Sequence, residues 1–505
     1  MMRTVLFSFL IILFASCYTG KNSFNPSKKY SPQELQKDYS IFRDILEESH
    51  PGLYWYTSKD SMNYFFQQGA EQVKDSLTQP EFRNVLAYIL SKIDCGHTSV
   101  RLSKKYDRYL DTARLKIFPL SIKFWPDTAV VASNLIRKDS ILKRGTVIQK
   151  INGQPIETII DSLFQFLSAD GYNLTHKYQT LSNRGTFGQI YSSVFGLHDT
   201  YQVQYLDSNG ISHSTTLPVY DPRKDTMSRN LIRPLLRLQK LSRKERKKLE
   251  LSSVRSLKVD SAGHTAFMDL NSFSRGFHLK KFFRKSFRYI RKNHIGDLVI
   301  DVRGNGGGSV TNSTFISRYL ADHRFKIADS LYAISRKSHY GSYIKNNFWN
   351  HLFIKFFTHH KSDGYYHFRY FEQHYFKPKK QNHYNGTAYI ITGGNSFSAT
   401  TLFVNSVIKQ NNIIVVGEET GGGAYGNNAW LIPDVTLPET GIKFRLPLFR
   451  LVMNKNYPKN GRGIQPEVEV VPTVKAIRGG DDYKFDKVME LIKEKKEGTK
   501  IVTGQ

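Results

Sequence analysis

Three glycine-rich stretches hold residues that could do chemistry, and each ends an apolar run. Asp301-Val302-Arg303-Gly304-Asn305-Gly306-Gly307-Gly308 follows the run ending at Asp301. Gly393-Gly394-Asn395-Ser396-Phe397-Ser398-Ala399-Thr400 follows Tyr389–Ile391, and Gly417-Glu418-Glu419-Thr420-Gly421-Gly422-Gly423 follows Ile413–Val416. Glycines let backbone N–H groups approach a ligand, so the first stretch can form an anion or oxyanion site. It is not a phosphate loop, because no Lys-Ser/Thr follows, and its glycine spacing is wrong for a dinucleotide. A serine opening the helix after Phe397 sits at the positive end of the helix dipole, beside N–H groups able to hold a developing oxyanion. The plain alternative makes Ser396 or Ser398 a helix N-cap.

These stretches in this order, followed by Gly461-Arg462-Gly463-Ile464-Gln465-Pro466-Glu467, resemble the serine peptidase family of C-terminal processing (tail-specific) proteases and the tricorn core protease. That family also includes the repeats of interphotoreceptor retinoid-binding protein. The D-x-R-x-N-x-G-G element, the Ser-Ala helix start, the G-E-x-T-G-G turn and the closing G-x-G-I-x-P-[DE] element carry the likeness, over roughly residues 255–475. The resemblance implies an α/β fold with a crotonase/ClpP-like ββα catalytic domain, no cofactor or metal, a protein or peptide substrate, and hydrolysis through an acyl-enzyme. It implies that Ser398 is the nucleophile, with the Ala399 N–H and that of Gly306 or Gly307 as the oxyanion hole.

The tail-specific branch takes a Lys base further along the chain. At the matching place this chain has Gly423, and no lysine lies between Lys409 and Lys443. The tricorn branch instead takes a His from the N-terminal part, and Asp94-Cys95-Gly96-His97-Thr98 fits that position. His97 is then the general base, taking the Ser398 proton and returning it to the leaving amine. Without the Ser398 motifs, His97 would read as a surface or helix-capping residue. The tricorn core has a Glu shortly before its last element, and the corresponding residue here is Asn460. The orienting group is therefore Asn460 or one of Glu418, Glu419 and Asp94. A non-catalytic member of the same fold, binding peptides or an apolar ligand, is the alternative function.

The elements that must position these residues follow from periodicity. Gln33–Glu48 and Pro80–Ile93 carry apolar residues at helical spacing, the second running into the His97 segment. Gly145–Ile156 alternates apolar residues and turns at Asn152-Gly153, which resembles a PDZ-like strand and turn, with a helix expected over 157–168. From 296 onward, strand, glycine-rich turn and helix alternate, which predicts a mainly parallel sheet. The expected division is 28–110 helical, 112–222 PDZ-like, 223–258 a basic linker, 259–480 catalytic and 481–505 a C-terminal helix and tail. Residues 339–384 hold 7 of the 16 histidines amid aromatics, and read as a lid or inserted subdomain rather than a metal site.

Composition sets the outer bounds. With 505 residues, roughly three domains are expected. Hydrophobic residues at 40% exclude disorder of the whole chain, and two cysteines exclude a disulfide framework. Residues 1–17 have one cation, Arg3, an apolar run from Val5 to Phe14, and Ala15-Ser16-Cys17. That run is too short to span a bilayer and reads as a lipoprotein-type signal with lipidation at Cys17. The chain is thus expected to be exported and tethered in a bacterial cell envelope, periplasm or outer membrane, with Cys95 a buried free thiol. The formal charge of +30 is concentrated: residues 223–258 hold 13 basic and 3 acidic residues, and 275–292 hold 8 basic and none acidic. No nucleic-acid motif accompanies it, so a specific nucleic-acid partner is not expected. The second cluster lies on an amphipathic helix, where its cations form a solvent face or attract anionic headgroups.

Overall fold

The computed structural model describes residues 24–225, 241–260 and 262–503. The leader with Cys17 and the middle of the basic segment 223–258 lie outside the described residues.

Helix α1 (Pro32–Ser49) starts at a capping box, in which Ser31 accepts from the Glu34 amide and Glu34 accepts from the Ser31 amide. Helix α2 (Lys59–Gln72) follows, and α3 (Gln79–Ser91) starts at a second box built by Thr78 and Glu81. Their apolar stripes, among them Leu35, Phe42, Ile45, Phe82, Leu86 and Ile89, are buried against Val435, Leu437, Phe444 and Leu446 from far downstream. The Phe42 and Phe444 rings meet edge to face at 5.1 Å. Buried Asp38 accepts from the Glu439 and Thr440 amides and from the Thr440 hydroxyl. Just past the His97 segment, Val100-Arg101 pairs with Lys443-Phe444. The N-terminal helices therefore share one core with the C-terminal half.

A second unit is an antiparallel sheet in sequential order: β1 (Leu120–Trp125), β2 (Thr128–Asn134), β3 (Val147–Ile151), β4 (Thr200–Leu206) and β5 (Ser212–Pro218). After β3 the chain reverses at Asn152 (φ 50°) and Gly153 (φ 79°), the left-handed pair that an Asn-Gly hairpin requires. Helices α4 (Ile156–Phe164), α5 (Leu174–Ser182) and α6 (Thr186–Phe195) contribute to its core, where Phe118, Phe124, Ile151, Ile160, Phe187 and Tyr201 meet. Helix α4 stops four residues short of the expected 168.

The basic segment ends in structure. Helix α7 (Arg243–Val254) leads into β6 (Arg255–Asp260), which pairs residue by residue with β7 (Thr265–Leu270). The linker expected to reach 258 is thus corrected at its end: Leu257 and Val259 alternate onto the core within a basic run that hides a strand. Beyond β7 come α8 (Leu279–Lys292), β8 (Asp297–Asp301), α9 (Val310–Leu320), β9 (Ser330–Ala333), β10 (Thr387–Thr392), α10 (Ala399–Asn405), β11 (Ile413–Gly417), β12 (Gly426–Ala429), β13 (Phe449–Val452), β14 (Val468–Glu469) and α11 (Tyr483–Thr503). The main sheet has the order β6-β7-β8-β10-β11-β14, parallel except for β6. Helices α8, α9 and α10 fill one face with Phe283, Phe287, Ile316 and Phe403. Helix α11 covers the other with Val488 and Ile492. The result is a mixed α/β protein with separate helical and sheet regions.

Residues 339–384 fold onto a second, antiparallel sheet that contains β9, β13 and β12. Ile354, Phe368 and Phe371 join Leu331, Phe449 and Leu451 in its core. His367 is buried between Glu372 (2.6 Å) and Asp363 (2.9 Å). Among the described residues, no group of three or more His, Cys, Asp or Glu side chains is placed to hold a metal ion.

Candidate active site

The site lies where β8, β10 and β11 end, the usual position in a parallel α/β sheet. After β10, the Ser396 hydroxyl is fully buried, donates to the Val302 carbonyl (2.8 Å) and accepts from the Gly393 amide. Ser396 thus clamps this loop to the end of β8. Ser398 is different. Its backbone has φ 57° and ψ −121°, its side chain makes no capping bond, and it borders a cavity. A non-glycine residue held there costs about 1–3 kcal/mol, and such conformations cluster at functional sites.

The first glycine-rich loop presses against Ser398. A Cβ on Gly307 (φ 95°) would lie 2.6 Å from the Phe397 carbonyl oxygen and 2.8 Å from both the Ala399 nitrogen and the Ser398 Cβ. Only glycine fits. The Gly307 amide, however, donates to the Asn305 carboxamide (2.9 Å), and the Asn305 carbonyl accepts from the Phe397 amide. Gly307 is therefore removed from the expected oxyanion donors. Gly306 and Gly308 flank it, and Gly308 borders the cavity with Ser398.

His97 reaches this place through a tight turn after α3. Asp94 adopts φ 53°, which folds Cys95–Thr98 inward. The His97 ring is 4% exposed and packs on the Phe397 ring at 4.7 Å, while His176 stacks on Phe397 at 4.9 Å. Neither ring nitrogen of His97 has a hydrogen-bond partner. Its nearest carboxylate is Asp170, whose Oδ1 lies 3.8 Å from Nδ1. Asp170 is itself buried, and it accepts from the Gly96 amide (2.9 Å) and the Gly423 amide (3.4 Å). One side chain thus ties the His97 turn to the third glycine-rich loop.

The other acidic candidates are engaged elsewhere. Glu418 pairs with buried Lys484 at 2.6 Å, and Lys484 also donates to the Thr392 carbonyl. Glu419 accepts from Arg462 (2.9 and 2.6 Å), from the Gly463 amide and from the Thr175 hydroxyl. Burial pushes the Glu419 carboxyl up, but these donors hold it below the usual carboxylate range. Burial pushes Asp94 up to about 6, against Lys177 and Lys92. Asn460 is exposed and accepts from the Arg462 amide. The carboxylate against His97 is Asp170, which sequence reasoning did not single out. Its only local signal is the Asp170-Gly171 turn that follows α4.

The cavity beside Ser398 has a volume of about 450 Å³ and an apolar wall of Val310, Phe371, Leu402, Trp430 and Leu451. Trp430 (φ 67°) and Leu431 (φ 39°) are successive non-glycine residues in left-handed backbone. Phe371 comes from the segment 339–384, so that segment contributes to the cavity.

Residues 264–470 match the model of peptidase family S41, and the protein is a serine-type peptidase. The matched region runs from β7 to β14, and over it the chain is similar to that family. The chain is also similar to mature CPAF complexed with lactacystin, at 14% identity, covering 94% of this chain and 99% of that one with a TM-score of 0.62. Mature CPAF alone gives 14% identity, 92% and 98% coverage and a TM-score of 0.61, and a CPAF mutant gives 12%, 92% and 97%, and 0.64. At these identities the likeness is one of fold. No curated protein matches the chain.

Proposed function

We propose that this chain is an exported endopeptidase that cleaves proteins or peptides with Ser398 and His97 through an acyl-enzyme. The observation that carries the reading is that a buried histidine without a hydrogen-bond partner packs on Phe397, the residue next to Ser398, whose strained backbone borders the cavity. The Ser398 hydroxyl attacks the scissile carbonyl, and His97 takes its proton and delivers it to the leaving amine. The Ala399 amide, with that of Gly306 or Gly308, receives the oxyanion. Asp170 orients the imidazole and stabilises its charged form. The apolar cavity takes the side chain preceding the scissile bond. The catalytic unit, 259–480, is assigned to the crotonase/ClpP-like class, with 28–110 as the helical part that supplies His97. The unit 112–222 is assigned as PDZ-like, presenting a peptide by strand addition. Cys17 is assigned as a lipid anchor in a bacterial envelope, on the sequence pattern of residues 1–17 alone.

Steady-state hydrolysis of fluorogenic peptides tests this. Peptides with Phe or Leu before the scissile bond are expected to exceed their Asp counterparts in kcat/KM by at least about tenfold. Asp170→Asn is expected to lower kcat by about 10²–10⁴ with the fold intact. Unchanged kcat in that variant would remove Asp170 from the mechanism.

A further inference from the structure

Helix α8 carries seven Lys and Arg residues and no acidic one. All seven are exposed, while Leu279, Phe283, Phe287 and Ile290 are buried on the opposite side. Among the described residues, none of the seven has a carboxylate partner. The charge continues sideways. Lys280, Arg284 and Lys379 all stand over the Phe315 ring, at 5.8, 5.2 and 4.9 Å. At the other border, Arg255 from β6 packs over Phe282, and Lys247 from α7 over Phe277. Like charges gathered this closely repel one another, and the fold retains them without neutralisation.

We infer that the exposed face of α8, extended by its cationic neighbours, is a docking surface for an anionic lipid bilayer. Three features favour a bilayer over other polyanions. Helix α8 lies flat, its inner half packed into the core, so it cannot enter a nucleic-acid groove as a projecting helix does. The face is nearly pure charge, with Tyr289 its one exposed aromatic, whereas protein interfaces bury an aromatic or apolar centre. A helix of this length spreads its cations over about 21 Å, which suits a planar charged surface whose attraction reaches about one Debye length. The cations sit on the outer side of the sheet's helical layer and are not part of the Ser398 cavity, so docking leaves catalysis free. The inference does not depend on lipidation at Cys17.

The test uses the chain beginning at residue 18, which contains every described residue. Flotation is compared on vesicles of phosphatidylcholine and of phosphatidylcholine with phosphatidylglycerol. Binding is expected only to the anionic vesicles and is expected to disappear in high salt. Replacing Lys281, Lys285, Arg288 and Lys292 by Gln should weaken it on the order of 1,000-fold and leave peptidase activity unchanged. Equal binding to both vesicle types, or full binding by the active quadruple variant, would overturn the inference. So would duplex DNA that displaces the protein from anionic vesicles at equal charge concentration, since the face would then be a general polyanion binder.

Discussion

His50 is buried, and its two ring nitrogens have different neighbours. The Gly52 amide donates to Nδ1 (3.2 Å), so the proton resides on Nε2, which donates to the Thr98 hydroxyl (2.8 Å). Thr98 in turn donates to the Cys95 sulfur (3.1 Å). This relay fixes the turn on which His97 stands. Burial pushes the His50 imidazole down to about 3 and the Cys95 thiol up to about 11, so both are neutral at pH 7. A base whose folded value is depressed stabilises the fold fully above its unfolded value, about 6.5, and loses that contribution as pH falls toward 3. Denaturant titrations should therefore show stability declining below about pH 6.5, with a flatter acid limb in His50→Asn. Asp170 belongs to the same scale and shows what sequence leaves unread. It sits in no motif, and its partners Gly96 and Gly423 lie 74 and 253 positions away, so tertiary contact alone gives it a role. Ser398 was legible because its signal is local, a serine at the start of a helix with glycine loops at neighbouring strand ends.

At the scale of elements, the glycine loops are spacing devices. The register of β8 against β10, with Asp301 opposite Ile391, places the two loops at one level. Asn305 then bonds both its own loop and Phe397, so the loop and the Ser398 turn hold each other. Gly307→Ala introduces a Cβ where three backbone and side-chain atoms already stand within 2.8 Å, at a φ that alanine disfavours. It is expected to destabilise the protein by about 2–4 kcal/mol and to abolish peptide hydrolysis, read by thermal unfolding and kinetics together. Wild-type activity in Gly307→Ala would mean that the loop is not part of the site. The mainly parallel sheet beyond residue 296 followed from alternating apolar and glycine-rich stretches, whereas its strand order did not. Strand β6 did not, because its apolar residues are diluted by Arg255 and Lys258 and its partner supplies the remaining pattern. The segment 339–384 read as an insertion, but its place on the β9–β13 sheet depends on partners more than seventy residues away, such as Phe449 and Leu451.

At the scale of the whole molecule, the candidate site is assembled from distant parts of one chain. The S41 match covers 264–470 and includes Ser398 and its glycines, whereas His97 and Asp170 lie outside it. They arrive because the N-terminal helices share a core with residues 435–446, and because Val100-Arg101 pairs with Lys443-Phe444. That joint core was not legible, since capping boxes and helical stripes show that helices form and not what they cover. Its consequence is functional under the proposed mechanism, in which Ser398, carried by one part, has its base, His97, carried by another. The most direct measurement is the rate of covalent labelling by a fluorophosphonate probe, on the chain from residue 18, for wild type, Ser398→Ala and His97→Ala. The account predicts labelling of the wild type, none in Ser398→Ala, and a rate lower by at least about 10²-fold in His97→Ala with unfolding unchanged. Labelling that survives Ser398→Ala, or an unaltered rate in His97→Ala, would contradict it.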